Sequence, residues 1–319
     1  MSLPVEKPKL GISACLMGVE VRFNGGHKES HLCTRALNEY FDFIPLCPEV
    51  AIGMGVPREP IRLVGDPERP EAVGTVNSEL NVTRQLAEYG ARMANEVGDI
   101  CGYIFMQKSP SCGLERVKVY RENGAPVDGG GRGIYARAFC ERHPNLPVEE
   151  DGRLNDAVLR ENFVTRVFAY AAWQDLLKAG VTRRALIEFH SRYKYQLMAN
   201  DPVQYKVLGN LLGSMGRSDP NEIAPRYFSE LMAALKKCAT RRTHTNALQH
   251  LSGYLKQTIS AEDKQEIQEL IGQYHQGIVP LIVPLTLLKH HFRQHPDPYV
   301  ALQVYMQPHP ENLSLRNAI

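Results

Sequence analysis

The stretch MQKSPSCG, residues 106–113, sets a lysine, two serines and a cysteine around one proline, directly after a short apolar run. Cys112 has two counterparts. Cys15 lies near the end of KLGISACL (9–16) and Cys47 closes FDFIPLC (41–47), so each of three thiols follows the carboxyl end of a segment that reads as a β-strand. In an open parallel sheet those ends converge on the crevice where ligands bind, so distance along the chain need not be distance in space. Three thiolates suit two metal centres: zinc with three protein ligands and an open position, or a four-iron, four-sulfur cluster with one iron lacking a protein donor. The spacing leaves both open. It argues against a zinc ribbon or an electron-transfer ferredoxin, because the chain contains no CxxC pair.

Polar residues surround the trio. Glu49 follows Cys47 in CPE, and Ser109 and Ser111 flank Pro110 just before Cys112, which would turn a carboxylate and two hydroxyls toward the same crevice. Lys108 and the loop VRFNGGHK (21–28), with Asn24, Gly25 and Gly26, are candidate substrate contacts, the glycines because they let backbone amides approach a ligand. EPIRLVG (59–65) and GGGRG (129–133) are weaker anion-binding candidates, since no GK[ST] follows either. Of the other cysteines, Cys101 starts its strand at the opposite edge, Cys140 and Cys238 fall in helical patterns, and Cys33 opens a helix near NGGHKESH. Cys33 is the one serious rival to the trio, and any single cysteine taken alone reads more readily as a small buried hydrophobe.

The elements that would position these groups alternate. SELNVTRQLAEYGARMANEVG (78–98) predicts an amphipathic helix stopped by Gly98, and GYIFMQ (102–107) a strand after it. Residues 1–150 therefore read as an α/β unit, a small Rossmann-like parallel sheet with flanking helices. HPNLPVEEDGRL (143–154) reads as a linker. Beyond it Leu159, Phe163, Val167, Tyr170, Trp173 and Leu177 recur at helical spacing until Gly180, and helix starts are marked by Thr182, by Asp201 before Pro202, and by Ser260 with Asp263. Residues 151–319 predict an all-α helical unit.

A length of 319 residues fits two domains, and 43% hydrophobic with 23% charged residues is enough to build cores without metal or disulfide staples. Neither the amino terminus nor IVPLIVPLTLL (278–288) has the length of apolar run that a signal peptide or membrane span needs, which with seven cysteines makes a reduced, cytoplasmic protein the expectation. The net charge of +2 is uneven: residues 1–150 carry 17 basic and 20 acidic side chains, residues 151–319 carry 20 and 15 with eight of the eleven histidines. Lys236, Lys237, Arg241 and Arg242, beside His244, form one basic group, and Arg183, Arg184, Arg192 and Lys194 another. Both are candidate RNA contacts whose affinity would depend on salt.

Taken in order, SACLMG with VRFNGGHK, then CPE, then KSPSCG resemble the thiouracil desulfidase (TudS) family across residues 9 to about 150. The resemblance implies that Cys15, Cys47 and Cys112 hold a [4Fe-4S] cluster with one open iron, and that Glu49 and Ser109 act on substrate, with Ser111 as the alternative serine. Cys33 has no place in that pattern. KYQLMANDPVQYKVLG (194–209), THTNALQHLSGYLK (243–256) and PLIVPLTLLKHH (280–291) resemble the YbgA-type domain over most of residues 155–319. The combination resembles the fused RNA desulfidases (RudS type). It implies removal of sulfur from 4-thiouridine in tRNA by non-redox hydrolysis at the open iron, with release of sulfide and uridine, while the helical unit grips RNA around a base drawn from its stack. A desulfidase for free thiouracil or thiouridine nucleotides, and a zinc-dependent hydrolase, are the alternative expectations.

Overall fold

A computed structural model describes residues 6–216, 218–317 and 319. The chain divides into two compact units, Met1–Asn155 and Asp156–Ile319. In chain order the first contains β1 (Lys9–Ser13), β2 (Asp42–Leu46), helix α1 (Pro48–Ala51), β3 (Ile61–Asp66), β4 (Arg69–Gly74), α2 (Thr83–Glu96), β5 (Ile100–Phe105), β6 (Val119–Tyr120), α3 (Ile134–Arg142) and β7 (Val148–Glu150).

One sheet runs β2-β1-β5-β7 with every neighbouring pair parallel. β5 is buried along its whole length, as strands covered on both faces are, while β2 at the edge is half exposed. The central pair fits because Gly11 of β1 leaves room for the Tyr103 ring of β5; a methyl group there would lie 2.3 Å from that ring, an overpacking that costs about 1–3 kcal/mol. Tyr103, Phe105, Tyr135 and Phe139 then join strand β5 to helix α3 through an aromatic cluster. Helices α2 and α3 pack closely at Gly90, where a Cβ would sit 2.7 Å from the Tyr135 carbonyl.

Three readings of this half need correction. The segment 143–154 is no plain linker, since β7 lies inside it and pairs with β5. The helix expected over 78–98 starts at Thr83, because residues 80–82 are drawn into backbone pairing with β4 (Gly74 N–H to Leu80 O, Val82 N–H to Ala72 O) and Asn81 Oδ1 accepts from Thr83. EPIRLVG is the middle strand of a second sheet, ordered β4-β3-β6, so its amides are spent on strand pairing and hold no anion.

The second unit is helical: α4 (Ala157–Ala179), α5 (Arg183–Asn200), α6 (Pro202–Gly213), α7 (Pro220–Lys236), α8 (Arg241–Ser252), α9 (Ala261–Gln276), α10 (Ile282–Gln294) and α11 (Pro298–Ala301). The caps are chemical ones. Thr182 accepts from Ala185 N–H, Asp201 from Gln204 N–H, and Ser260 with Asp263 forms a reciprocal box. Along α4, Phe163, Val167 and Trp173 face the core, where Trp173 stacks on Phe228 at 4.7 Å, but Leu177 has turned outward and is half exposed. None of these helices is long and apolar enough to cross a membrane.

A buried polar seam crosses the same unit. Glu161 Oε1 accepts from Arg316 Nε at 2.9 Å and lies 3.6 Å from His309 Nε2, and His244 Nδ1 shares a 2.8 Å hydrogen bond with the Tyr305 hydroxyl. Burial opposes ionisation of Glu161, but Arg316 and His309 outweigh it and hold the carboxyl at about 2. Burial, reinforced by Arg316, pushes the His244 imidazole down to about 4.

Acid should therefore destabilise the protein in two windows. Between about pH 6.5 and 4 the unfolded chain binds a proton at His244 that the folded chain refuses, a loss on the order of 3 kcal/mol; Glu161 adds its own loss from the ordinary carboxylate range down to about 2. Urea unfolding midpoints measured from about pH 7.5 to 4 should fall with acidification, and His244→Asn should flatten the upper window.

Candidate active site

Parallel pairing of β2, β1 and β5 lays three strand ends side by side. From them Cys15, in the 3-10 turn Ala14–Met17, Cys47, capping α1, and Cys112, in the loop after β5, reach one cavity of about 380 Å³. The thiols are near enough to raise one another's pKa values, Cys112 feeling both Cys47 and Cys15. Burial is the larger cause for each: it pushes Cys15 up to about 11 against the nearby Arg22, raises Cys47, and drives Cys112 well above the thiol range. All three are thiols near neutral pH, so a bound cation would displace their protons. Among the described residues no three His, Cys, Asp or Glu side chains converge on a point that would hold one metal ion.

Glu49, the first acid of α1, is held at both ends. Arg58 Nε and Nη2 lie 2.8 and 2.7 Å from Oε2, and the buried Ser111 hydroxyl donates to Oε1 at 2.7 Å. Arg58 also donates to the carbonyls of Val21 and Gly55, so one guanidinium fixes Glu49 against the loop after the first cysteine. Nothing local in the sequence singles out Arg58.

The loop of Cys112 is the most heavily braced part of the site. Ser109 Oγ accepts from the amides of Ser111 and Cys112, at 3.3 and 3.1 Å, and Gly113 N–H returns to Ser109 O. The amino-terminal amides of α3 are spent on it: Gly133, Ile134 and Ala136 donate to the carbonyls of Gly113, Pro110 and Ser111. A Cβ at Gly133 would lie 2.5 Å from the Ser111 carbonyl, so GGGRG serves close docking of this loop and not anion binding. From the far side Asp151 accepts from Gln107 N–H at 2.9 Å and Glu150 from Leu114 N–H at 2.8 Å. Ser13, at the end of β1, accepts from Met106 N–H and donates toward the Cys112 sulfur.

Of the expected site residues, Glu49, Lys108, at φ 58°, and Ser109 line the cavity, while Ser111 stands behind its wall and donates to Glu49. Asn24, Gly25 and Gly26 do not line it. They form a self-satisfied turn, in which Gly25 N–H donates to Arg22 O and Arg22 N–H to Gly26 O, and the same loop reaches the cavity through Arg22, Phe23 and Lys28 instead. Cys33 is buried in the π-helical turn Leu32–Leu37, away from the cavity wall; Cys101 lies within β5, Cys140 in α3, and Cys238 just beyond the end of α7.

In the helical unit the basic side chains are partly committed. Arg184 pairs with Glu188 at 2.7 Å, Arg183 donates to Gly216 O, Lys237 pairs with Asp201, Arg241 lies over the Tyr274 ring, and Lys194 over Tyr195 and Tyr299. Lys236 and Arg242 are exposed. His244 is no part of that basic surface: one turn after Arg241 it points into the core.

Comparison with known proteins matches both units. A family model described as 2-thiouracil desulfurase matches residues 10–151, and one described as protein of unknown function (DUF1722) matches 194–310. The chain is 30% identical to Escherichia coli (strain K12) YbgA over 159 residues, covering 50% of this chain and 94% of that protein. It is 29% identical to Bacillus subtilis (strain 168) YbbK over 151 residues, covering 46% of this chain and 97% of that protein. A solved structure of TudS, described as a [4Fe-4S]-dependent thiouracil desulfidase, is 29% identical with a TM-score of 0.35, covering 47% of this chain and 94% of that one. The chain thus belongs to the YbgA family through its helical unit, and joins to it a TudS-like domain of the 2-thiouracil desulfurase type.

Proposed function

We propose that the protein removes sulfur from thiolated uracil, with 4-thiouridine in tRNA as its substrate, using a [4Fe-4S] cluster held by Cys15, Cys47 and Cys112. The match of residues 10–151 to the desulfurase family supports the reaction class. The observation that carries the reading is the set of three strand-end thiols around one cavity that also receives a firmly held carboxylate. The donor set fits the cluster. Three cysteines from separate strand ends around one cavity are the donor number of a cluster that leaves one iron without a protein ligand. Arg22, Lys28 and Lys108, on the same wall, would offset the charge of three thiolates.

Bound there with one iron open, the cluster would supply a soft Lewis acid that prefers a thiocarbonyl to the carbonyl of ordinary uracil. The chain's own groups do the rest. Glu49 accepts a proton from the water that adds to the sulfur-bearing ring carbon and returns it as the C–S bond breaks, so that water and thiocarbonyl become carbonyl and hydrogen sulfide with no net electron transfer. Arg58 and Ser111 keep its carboxyl aimed during both transfers. Ser109 accepts two amide hydrogens on its oxygen, which leaves its own hydrogen to donate to water or to the pyrimidine ring. The basic residues of the helical unit that remain exposed would grip the flanking phosphates.

Anaerobic sulfide-release assays with thiouracil, thiouridine nucleotides and thiolated tRNA should show tRNA preferred, with activity that falls as salt rises; a strong preference for the free base would overturn the RNA reading. The purified protein should be brown and contain iron, whereas a colourless protein holding zinc would overturn the cluster. Cys112→Ala should lose visible absorbance and activity together. Glu49→Gln should keep the absorbance and lower kcat by roughly 10²–10⁴-fold, and loss of colour in that variant would mean that Glu49 serves the metal rather than the proton.

A further inference from the structure

The helical unit holds a second pocket, about 240 Å³, between the start of α4, the Cys238–Ala239 link, α8 and Tyr274 of α9. Its polar wall is only half used. Among the described residues the hydrogen bonds and ion pairs of Glu161 all go to Oε1, from Arg316, Thr165 and His309, and Oε2 receives none. His244 spends Nδ1 on Tyr305, and its Nε2 has no partner among the described residues. Arg241, the first residue of α8, makes a long 3.4 Å bond to the Tyr274 carbonyl with one nitrogen and has no carboxylate partner among the described residues. Glu161 and His244 are buried as residues, yet neither Oε2 nor Nε2 is among the side-chain atoms sealed from solvent without a partner, so both can be met from this space by water or by a ligand.

The ligand that would fit is constrained on three sides. The unused carboxylate oxygen can accept an N–H, the guanidinium and imidazole offer hydrogen-bond donors to an oxygen or ring nitrogen nearby, and Val158, Ile319 and Tyr274 supply apolar lining, with Arg241 already over the Tyr274 ring. A carboxylate on a base N–H edge and an arginine on ring acceptors are pairings by which proteins read nucleobases, and unpaired bases are commonly stacked on aromatic side chains. Basic residues flank this wall along the chain: Lys236 and Lys237 precede Cys238–Ala239 and Arg242 follows, all three exposed, with Lys237 paired to Asp201.

We propose that this cavity binds a nucleobase, of a free nucleotide or of an unstacked residue in RNA, with the base N–H edge on Glu161 and its acceptors on Arg241 and His244. The phosphate then lies outside the cavity, within reach of whichever of the flanking Lys236 and Arg242 side chains turns toward it. The site uses none of Cys15, Cys47 and Cys112, and it stands or falls independently of the desulfidase reading. In the buried polar seam the half-free Glu161 is thus a recognition group, while its Arg316 pairing keeps it charged.

The test uses the full chain and amide hydrogen exchange, with guanosine 5′-monophosphate, uridine 5′-monophosphate, an unthiolated single-stranded RNA, and free glutamate as a zwitterion without a base. A nucleotide or the RNA should slow exchange at residues 158–162 and 239–244. Val158→Trp, which fills the space from its rim, and Arg241→Gln, at an exposed helix start, should each weaken binding at least tenfold, with melting temperatures reporting that both are folded. Protection by the RNA alone would assign the base to RNA, and protection by mononucleotides alone to a free nucleotide. Binding unaffected by either folded variant, protection by glutamate only, or no protection by any base would overturn the proposal and leave the space to water.

Discussion

Everything in the first unit depends on parallel pairing of β1 with both β2 and β5. Parallel strands need long crossovers, so the three cysteines end up far apart in sequence, yet the register Ser13 to Leu46 and Ile12 to Ile104 sets their strand ends side by side. Antiparallel pairing would put consecutive strand ends at opposite edges, and no such gathering of thiols would arise. The tolerance of that pairing is small. It rests on Gly11 admitting the Tyr103 ring and on an aromatic cluster that ties β5 to α3, the same helix whose first amides hold the Cys112 loop. Core packing and site geometry are therefore one problem at this end of the sheet.

The site spends hydrogen bonds on rigidity. Glu49 is held by Arg58 and Ser111, Ser109 braces the amides of its own loop, and the first amides of α3 hold that loop from outside, so the carboxyl and the loop beside it do not have to be ordered when a ligand arrives. Burial raises all three thiols, so binding a cation there would release their protons. In the helical unit the same logic runs in reverse. Glu161 is kept charged by Arg316 at the cost of desolvating both, and removing one partner of such a pair costs about 3–5 kcal/mol.

Whether a feature was readable from the chain depended on whether its signal was local. The strand-end cysteines, the α/β-then-helical order and the caps at Thr182, Asp201 and Ser260 rest on patterns within a few residues, and they are where the structure places them. Arg58 on Glu49, Ser111 on Glu49 and Asp151 on Gln107 join segments that nothing in the sequence couples, and Arg58 escaped notice for that reason. The glycines of NGGHK misled because a turn that satisfies its own amides looks the same in sequence as one that offers them. His244 misled because adjacency to arginines in sequence says nothing about helix face; three residues on from Arg241, it is turned inward. The second sheet was missed because β4 carries a proline and β6 is two residues long, too little for an alternating pattern to register.

The acidic run at the close of the first unit has one more implication. Through β7 and the carboxylates of Glu150 and Asp151, the last strand both finishes the sheet and clamps the loop of the third thiol, all before Asn155. The desulfurase-like half thus carries its own keystone, and a gene could gain, lose or exchange the helical half without rebuilding the pocket. Relatives that match only one half or the other are the trace such a separable design would leave behind.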